Sequence, residues 1–118
     1  MTTEQRQNFR LLMTLQCAIN TGEHGFRRCR TRDISHEGAF VLGDTSGLAL
    51  NSFVTLAVQT STNGQTQVRH FRAVVRHLTE SGMGLYVKGA RALLEAVLAK
   101  RNQGPGLNGA QQRSALLG

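Results

Sequence analysis

Apolar and polar residues alternate with period two along most of this chain. In residues 11–19 the odd positions hold Leu11, Met13, Leu15, Cys17 and Ile19, with Thr14 and Gln16 between them. Successive side chains of a strand point to opposite faces, so this pattern predicts a half-buried strand. Residues 21–25 read as a turn. Phe26–Ile34 reads as a second strand, with Arg28, Arg30 and Arg32 on one face. If Asn20 and Phe26 flank the turn, Cys17 falls opposite Cys29 and Leu15 opposite Thr31. The odd residues of both strands then face inward and the arginine row faces out. Gly38–Gly43 is a third strand and residues 44–49 a loop. Residues 51–60 form a fourth strand, with Val54, Leu56 and Val58 on one face. A hairpin turn at 61–65 carries Asn63-Gly64, the pair that best tolerates a two-residue connection. A fifth strand over 67–78 turns Phe71, Ala73 and Val75 one way and His70, Arg72 and Arg76 the other. Residues 84–88 make a sixth strand after a turn at 80–82. Short strands parted by turns predict an all-β fold, a six-stranded closed or nearly closed antiparallel barrel.

The period changes at residue 90. Leu93, Leu94, Val97 and Leu98 form a helical stripe, so Ala90–Asn102 is expected to be a C-terminal helix packed on the barrel. Residues 1–9 are polar and aperiodic, which reads as a flexible arm. Residues 103–118 are Gly-rich and contain the only proline, Pro105, which reads as a disordered tail. The expected division is an arm at 1–9, barrel plus helix at 10–102, and a tail at 103–118.

A length of 118 residues with 40% apolar content fits one domain with a modest core. No apolar run approaches the ~18 residues of a membrane helix. The start of the chain, Met1 to Arg6, lacks a signal-peptide pattern, so a cytoplasmic location is expected. Formal net charge is +7, and of 14 basic residues only Lys88 and Lys100 are lysine. That bias suits planar, bidentate contacts to phosphate or to a purine edge. The two cysteines form no CxxC and the four histidines are scattered, so no metal site is read. No paired carboxylates or nucleophile–base arrangement points to catalysis, so the chain is read as a binding protein and not an enzyme.

Two short motifs carry the candidate chemistry. Arg6-Gln7-Asn8-Phe9-Arg10 is an RxxxR, and Asp33-Ile34-Ser35-His36-Glu37-Gly38 is a DxSxxG leading into an apolar strand. RxxxR alone is background, since it recurs at Arg28/Arg32 and Arg72/Arg76. The second motif is rarer: composition predicts about 0.05 copies of [DN]xSxxG by chance. Its bland reading is a Ser or Asx turn before a strand. Taken singly, Asp33 has a lesser reading as an ion-pair partner of Arg10 or Arg32, and Ser35 as a turn-fixing hydroxyl. Phe40 and His77 read as core or strand residues.

In order and spacing the two motifs resemble the PilZ family, bacterial receptor domains for cyclic dimeric GMP. The likeness spans residues 5–100 and includes Arg76 and the run Gly82-Met83-Gly84-Leu85-Tyr86-Val87. It implies a PilZ-like barrel that binds cyclic dimeric GMP, with no other cofactor. Arg6 and Arg10 would supply forks to guanine O6/N7 and charge to phosphate. Asp33 and Ser35 would hold base edges or orient the arginines. Gly38 would admit the ligand to the backbone. Arg32 and Arg76 are secondary candidates for stacking on guanine. In ligand-binding members an arginine often precedes RxxxR; here that position is Gln5, which leaves open one bound ligand or an intercalated pair. The resemblance further implies an adaptor that moves its N-terminal arm on binding and signals through a downstream protein, without membrane insertion. Two other readings are a nucleic-acid-binding basic barrel and a PilZ-like interaction module without ligand.

Overall fold

The structure is a computed structural model that describes residues 9–22 and 25–102. Two of the expected segments, the tail at 103–118 and the arm apart from Phe9, lie outside the described residues. Among the described residues seven strands and a helix follow in order: β1 (Leu11–Leu12), β2 (Gln16–Asn20), β3 (Phe26–Ile34), β4 (Gly38–Gly43), β5 (Phe53–Thr62), β6 (Gln65–Leu78), β7 (Gly82–Val87) and α1 (Ala90–Asn102). All pairings are antiparallel. The sheet runs β3-β2-β5-β6-β7-β4, and a further β3–β4 pairing returns it to β3, closing a six-stranded barrel with β1 as an appendage of β3.

The β2–β3 register is the expected one, with Asn20 opposite Phe26 and Cys17 opposite Cys29. The first strand differs from expectation, because it breaks at residues 13–15. The cause is Thr31, whose buried hydroxyl donates to the Met13 carbonyl at 2.6 Å and accepts from the Leu15 amide at 2.7 Å. A side chain thus occupies a place in the ladder, and beyond it the register slips so that Leu11 faces Ile34. At the β5–β6 hairpin, Asn63 and Gly64 both take positive φ, 53° and 78°. This primed two-residue turn matches the twist of the strands. Pairing therefore runs to Thr62 and Gln65, tighter than the expected 61–65 connection. Strand β7 also begins earlier than expected, at Gly82. The Thr79 hydroxyl accepts from the Gly82 amide at 2.9 Å, and a Cβ at Gly82 would meet the Val41 carbonyl at 2.6 Å.

The inward rows supply the core. Ile19, Ile34, Leu56, Val58, Val75 and Met83 are fully buried. From α1, Leu93, Leu94 and Val97 join the same cluster, as the stripe requires.

Candidate functional site

Two β-bulges build the site. On β3, Thr31 pairs with Val41 and Asp33 with Phe40, so Arg32 is an extra residue on that side. On β6, Val75 pairs with Leu85 and His77 with Gly84, so Arg76 is the extra one. A bulge offsets the alternation of a strand and re-aims a side chain. After Arg32, Asp33 therefore shares the outer face with Arg32 and Phe40 instead of turning into the core. This corrects the expectation that the odd residues of β3 all point inward. After Arg76, His77 likewise lies outside, while Val75 is buried within.

Strands β4 and β7 lie between the two bulges. Gly38 and Phe40 of β4, with Gly84 and Tyr86 of β7, form the floor of a cleft of about 400 Å³. Arg10 and Arg32 border it together with Arg76 and His77. Gly84 keeps the floor low. Gly84 also receives the His77 ring, whose nearest atom would lie 3.1 Å from an added Cβ.

Asp33 is the hub. It is only 1% exposed, with Leu12 of β1 and Phe40 of β4 opposite it. Its Oδ1 accepts from Arg10 Nη1 at 2.9 Å, and its Oδ2 accepts from Arg32 Nε at 2.7 Å. Both guanidiniums keep solvent contact, with side chains 56% and 51% exposed. One buried carboxylate thus orients two half-exposed cations. Arg32 is fixed a second way, its guanidinium carbon 4.1 Å from the centroid of the Phe40 ring. Arg76 lies farther from its aromatic, 5.6 Å from the Tyr86 centroid. An arginine has five N–H donors, and Asp33 accepts one from each of Arg10 and Arg32. The remaining fork donors suit planar acceptor pairs and negative charge.

The DxSxxG motif makes the β3–β4 turn. Ser35 Oγ accepts from the amides of Gly38 at 3.2 Å and Glu37 at 3.3 Å, and the Ser35 amide donates to the Gly38 carbonyl at 2.8 Å. Ser35 thus fixes the turn while bordering the cleft. Gly38 has a structural reason to be glycine. A Cβ there would lie 1.8 Å from the Leu85 carbonyl oxygen, inside the neighbouring strand.

The structure brings together Arg10, Asp33, Ser35 and Gly38, with the secondary candidates Arg32 and Arg76 on the cleft walls. Arg6 lies outside the described residues. Phe40, His77 and Tyr86 border the cleft as well, although sequence reasoning left Phe40 and His77 among ordinary strand positions. Period two from Gly38 places Phe40 on the same face, a signal available in the sequence.

The model of the PilZ domain family matches residues 4–99. No curated protein matches. Among solved structures, the Bacillus subtilis inhibitor of motility MotI/DgrA superposes with a TM-score of 0.61 at 21% identity, covering 80% of this chain and 50% of that one. The chain thus spans about half the length of that neighbour. The PilZ domain of CeSA from a cellulose-synthesizing bacterium gives a TM-score of 0.58 at 13% identity, covering 80% and 99%. At these identities the likeness is one of fold.

Proposed function

The chain belongs to the PilZ domain family, and from that premise we propose that it is a receptor for cyclic dimeric GMP. One observation carries the reading: three arginines, Arg10, Arg32 and Arg76, border one cleft, and a buried carboxylate orients two of them. Cyclic dimeric GMP presents two guanines, each with an O6/N7 acceptor pair, and two phosphodiesters. Arg10 offers a fork held in place before the ligand arrives, so less side-chain freedom is lost on binding. Arg32, over the Phe40 ring, offers its other side to a guanine ring. Arg76 supplies charge from the opposite wall. Arg6, four residues before Arg10, closes the grip from the chain's N-terminal side.

The same geometry supports a switch. Asp33, Ser35 and Gly38 belong to the closed barrel, whereas Arg6 precedes its first strand. A ligand held by both draws residues 4–9 over the cleft and presents a new surface to a downstream protein, with free energy supplied by contacts made only in the closed state. Hydrogen exchange tests this, with amides 4–9 slowing when cyclic dimeric GMP is added. Equal exchange in both states removes the switch while leaving the receptor.

Titration with cyclic dimeric GMP, GTP and a short oligonucleotide at two salt concentrations tests the receptor. Selective binding of the cyclic dinucleotide with a shallow salt slope is the expected result. Tighter, steeply salt-dependent binding of the oligonucleotide overturns it in favour of a nucleic-acid-binding barrel.

A further inference from the structure

The outer wall carries an apolar row that meets the ligand cleft only at Tyr86. Phe53 pairs with Val74, and Val74 with Tyr86, so three strands place these side chains side by side. Phe53 is 82% exposed and Tyr86 44%. Between them lies an almost wholly apolar recess of about 270 Å³, bordered by Phe53, Val74 and Tyr86 and rimmed by Arg72 and Lys88. A second hollow of about 440 Å³ flanks Phe53 on its other side, and Arg72 borders that one too. The Lys88 amide donates to the Arg72 carbonyl at 2.9 Å, which makes the two cations neighbours. Among the described residues no carboxylate borders either hollow.

We propose that this row is a docking face for a partner protein, which inserts one apolar side chain beside Phe53 and sets Asp or Glu residues against Arg72 and Lys88. The apolar recess gives the contact its centre and the cations its rim, the usual anatomy of a protein interface. A two-fold contact with a second copy would bring Arg72 and Lys88 against themselves, in a chain already at +7. A nucleic-acid base entering the apolar recess would bury its polar edges between Phe53, Val74 and Tyr86, with the cations only at the rim. An acidic segment with an apolar anchor meets neither penalty. Tyr86 borders both this recess and the cleft where Arg76 approaches it, so the face adjoins the ligand site. The docking face rests beside the receptor reading: it holds its partner with or without ligand, while the arm supplies the ligand-dependent surface.

The test uses a display library of random 12-residue peptides, selected on the full chain with and without cyclic dimeric GMP. Selected peptides should carry an aliphatic or aromatic residue flanked by Asp or Glu. A synthetic representative should bind at least tenfold more weakly to Phe53→Ala and to Arg72→Glu, and equally well to Val68→Ala, an exposed apolar change elsewhere on the same wall. All three variants should keep the wild-type affinity for cyclic dimeric GMP and the wild-type melting curve. A selection without Phe53-dependent acidic peptides overturns the docking face. So does Phe53-dependent self-association in sedimentation, or Phe53-dependent binding of a 20-nucleotide RNA. Peptide binding that behaves as expected while the cyclic dinucleotide fails to bind overturns the receptor reading alone.

Discussion

Replacing Asp33 separates an orienting carboxylate from one that meets the ligand directly. Its two oxygens accept from Arg10 at 2.9 Å and Arg32 at 2.7 Å, and the residue is 1% exposed. A base edge could reach it only by displacing those arginines. A hydrogen bond to a charged group contributes about 1.5–3 kcal/mol when buried. Here both partners are more than half exposed, so water recovers much of that when the carboxylate is removed. Asp33→Ala should therefore cost only about 1–2 kcal/mol of folding stability. Its effect on binding should be larger, because both cations lose the group that fixes their forks. We expect about 2 kcal/mol, roughly a 30-fold rise in Kd. Calorimetry with cyclic dimeric GMP on Arg10→Ala, Asp33→Ala and the double variant measures the coupling. If Asp33 acts through Arg10, the double variant loses at least about 1 kcal/mol less than the sum of the single changes. Losses that add, or an Asp33→Ala affinity within about threefold of wild type, would refute the orienting role.

Arg10→Lys should weaken ligand binding nearly as much as Arg10→Ala, about 2 kcal/mol, because lysine cannot form a fork; calorimetry showing the lysine variant at wild-type affinity would sink this role. Gly38→Ala should lower stability to urea by about 3 kcal/mol or more, since its Cβ would strike the Leu85 carbonyl and part β4 from β7. Lost binding in that variant would then report lost structure, not a lost ligand contact. Cys17 and Cys29, with sulfurs 3.0 Å apart, should count as two free thiols on denaturation without reductant. The hydrogen bond shared with Cys17 holds Cys29 below the ordinary thiol value, while the same bond, with burial, pushes Cys17 up. Cys17→Ala should accordingly raise the pH midpoint for alkylation of Cys29, and an unchanged midpoint would contradict the shared hydrogen.

Much of the barrel was legible because its strands face water on one side and the core on the other. That asymmetry writes itself as period two, and it gave β3, β4, the register at Cys17 and Cys29, and the span of α1. The departures have local causes that periodicity cannot carry. Nothing in the spacing of Thr31 says that its hydroxyl will replace a backbone partner and break the strand before β2. The ends of β5 and β6 depended on whether Asn63-Gly64 made a two-residue or a longer turn, a choice set by two positive φ angles.

The site was less legible than the fold, for a reason that also bears on its chemistry. Strict alternation sends Arg32 outward and Asp33 inward, and leaves the carboxylate no neighbouring guanidinium on its own strand. The bulge at Arg32 breaks that rule once, and the two side chains then meet at 2.7 Å on the outer face. The bulge at Arg76 repeats the device across the cleft and sets Arg76 and His77 together. Each bulge gives up regular pairing at one residue and gains two adjacent polar side chains on one wall. Because both belong to a closed barrel, the distance between the walls is set by β4 and β7 and does not depend on a loop. Side chains held in this way lose little freedom when a ligand arrives, so more of each contact appears as affinity. The motif glycine and serine serve the same end from below: Ser35 fixes the turn and Gly38 lets β4 lie against β7. The DxSxxG pattern thus encodes a scaffold for the arginines of the cleft.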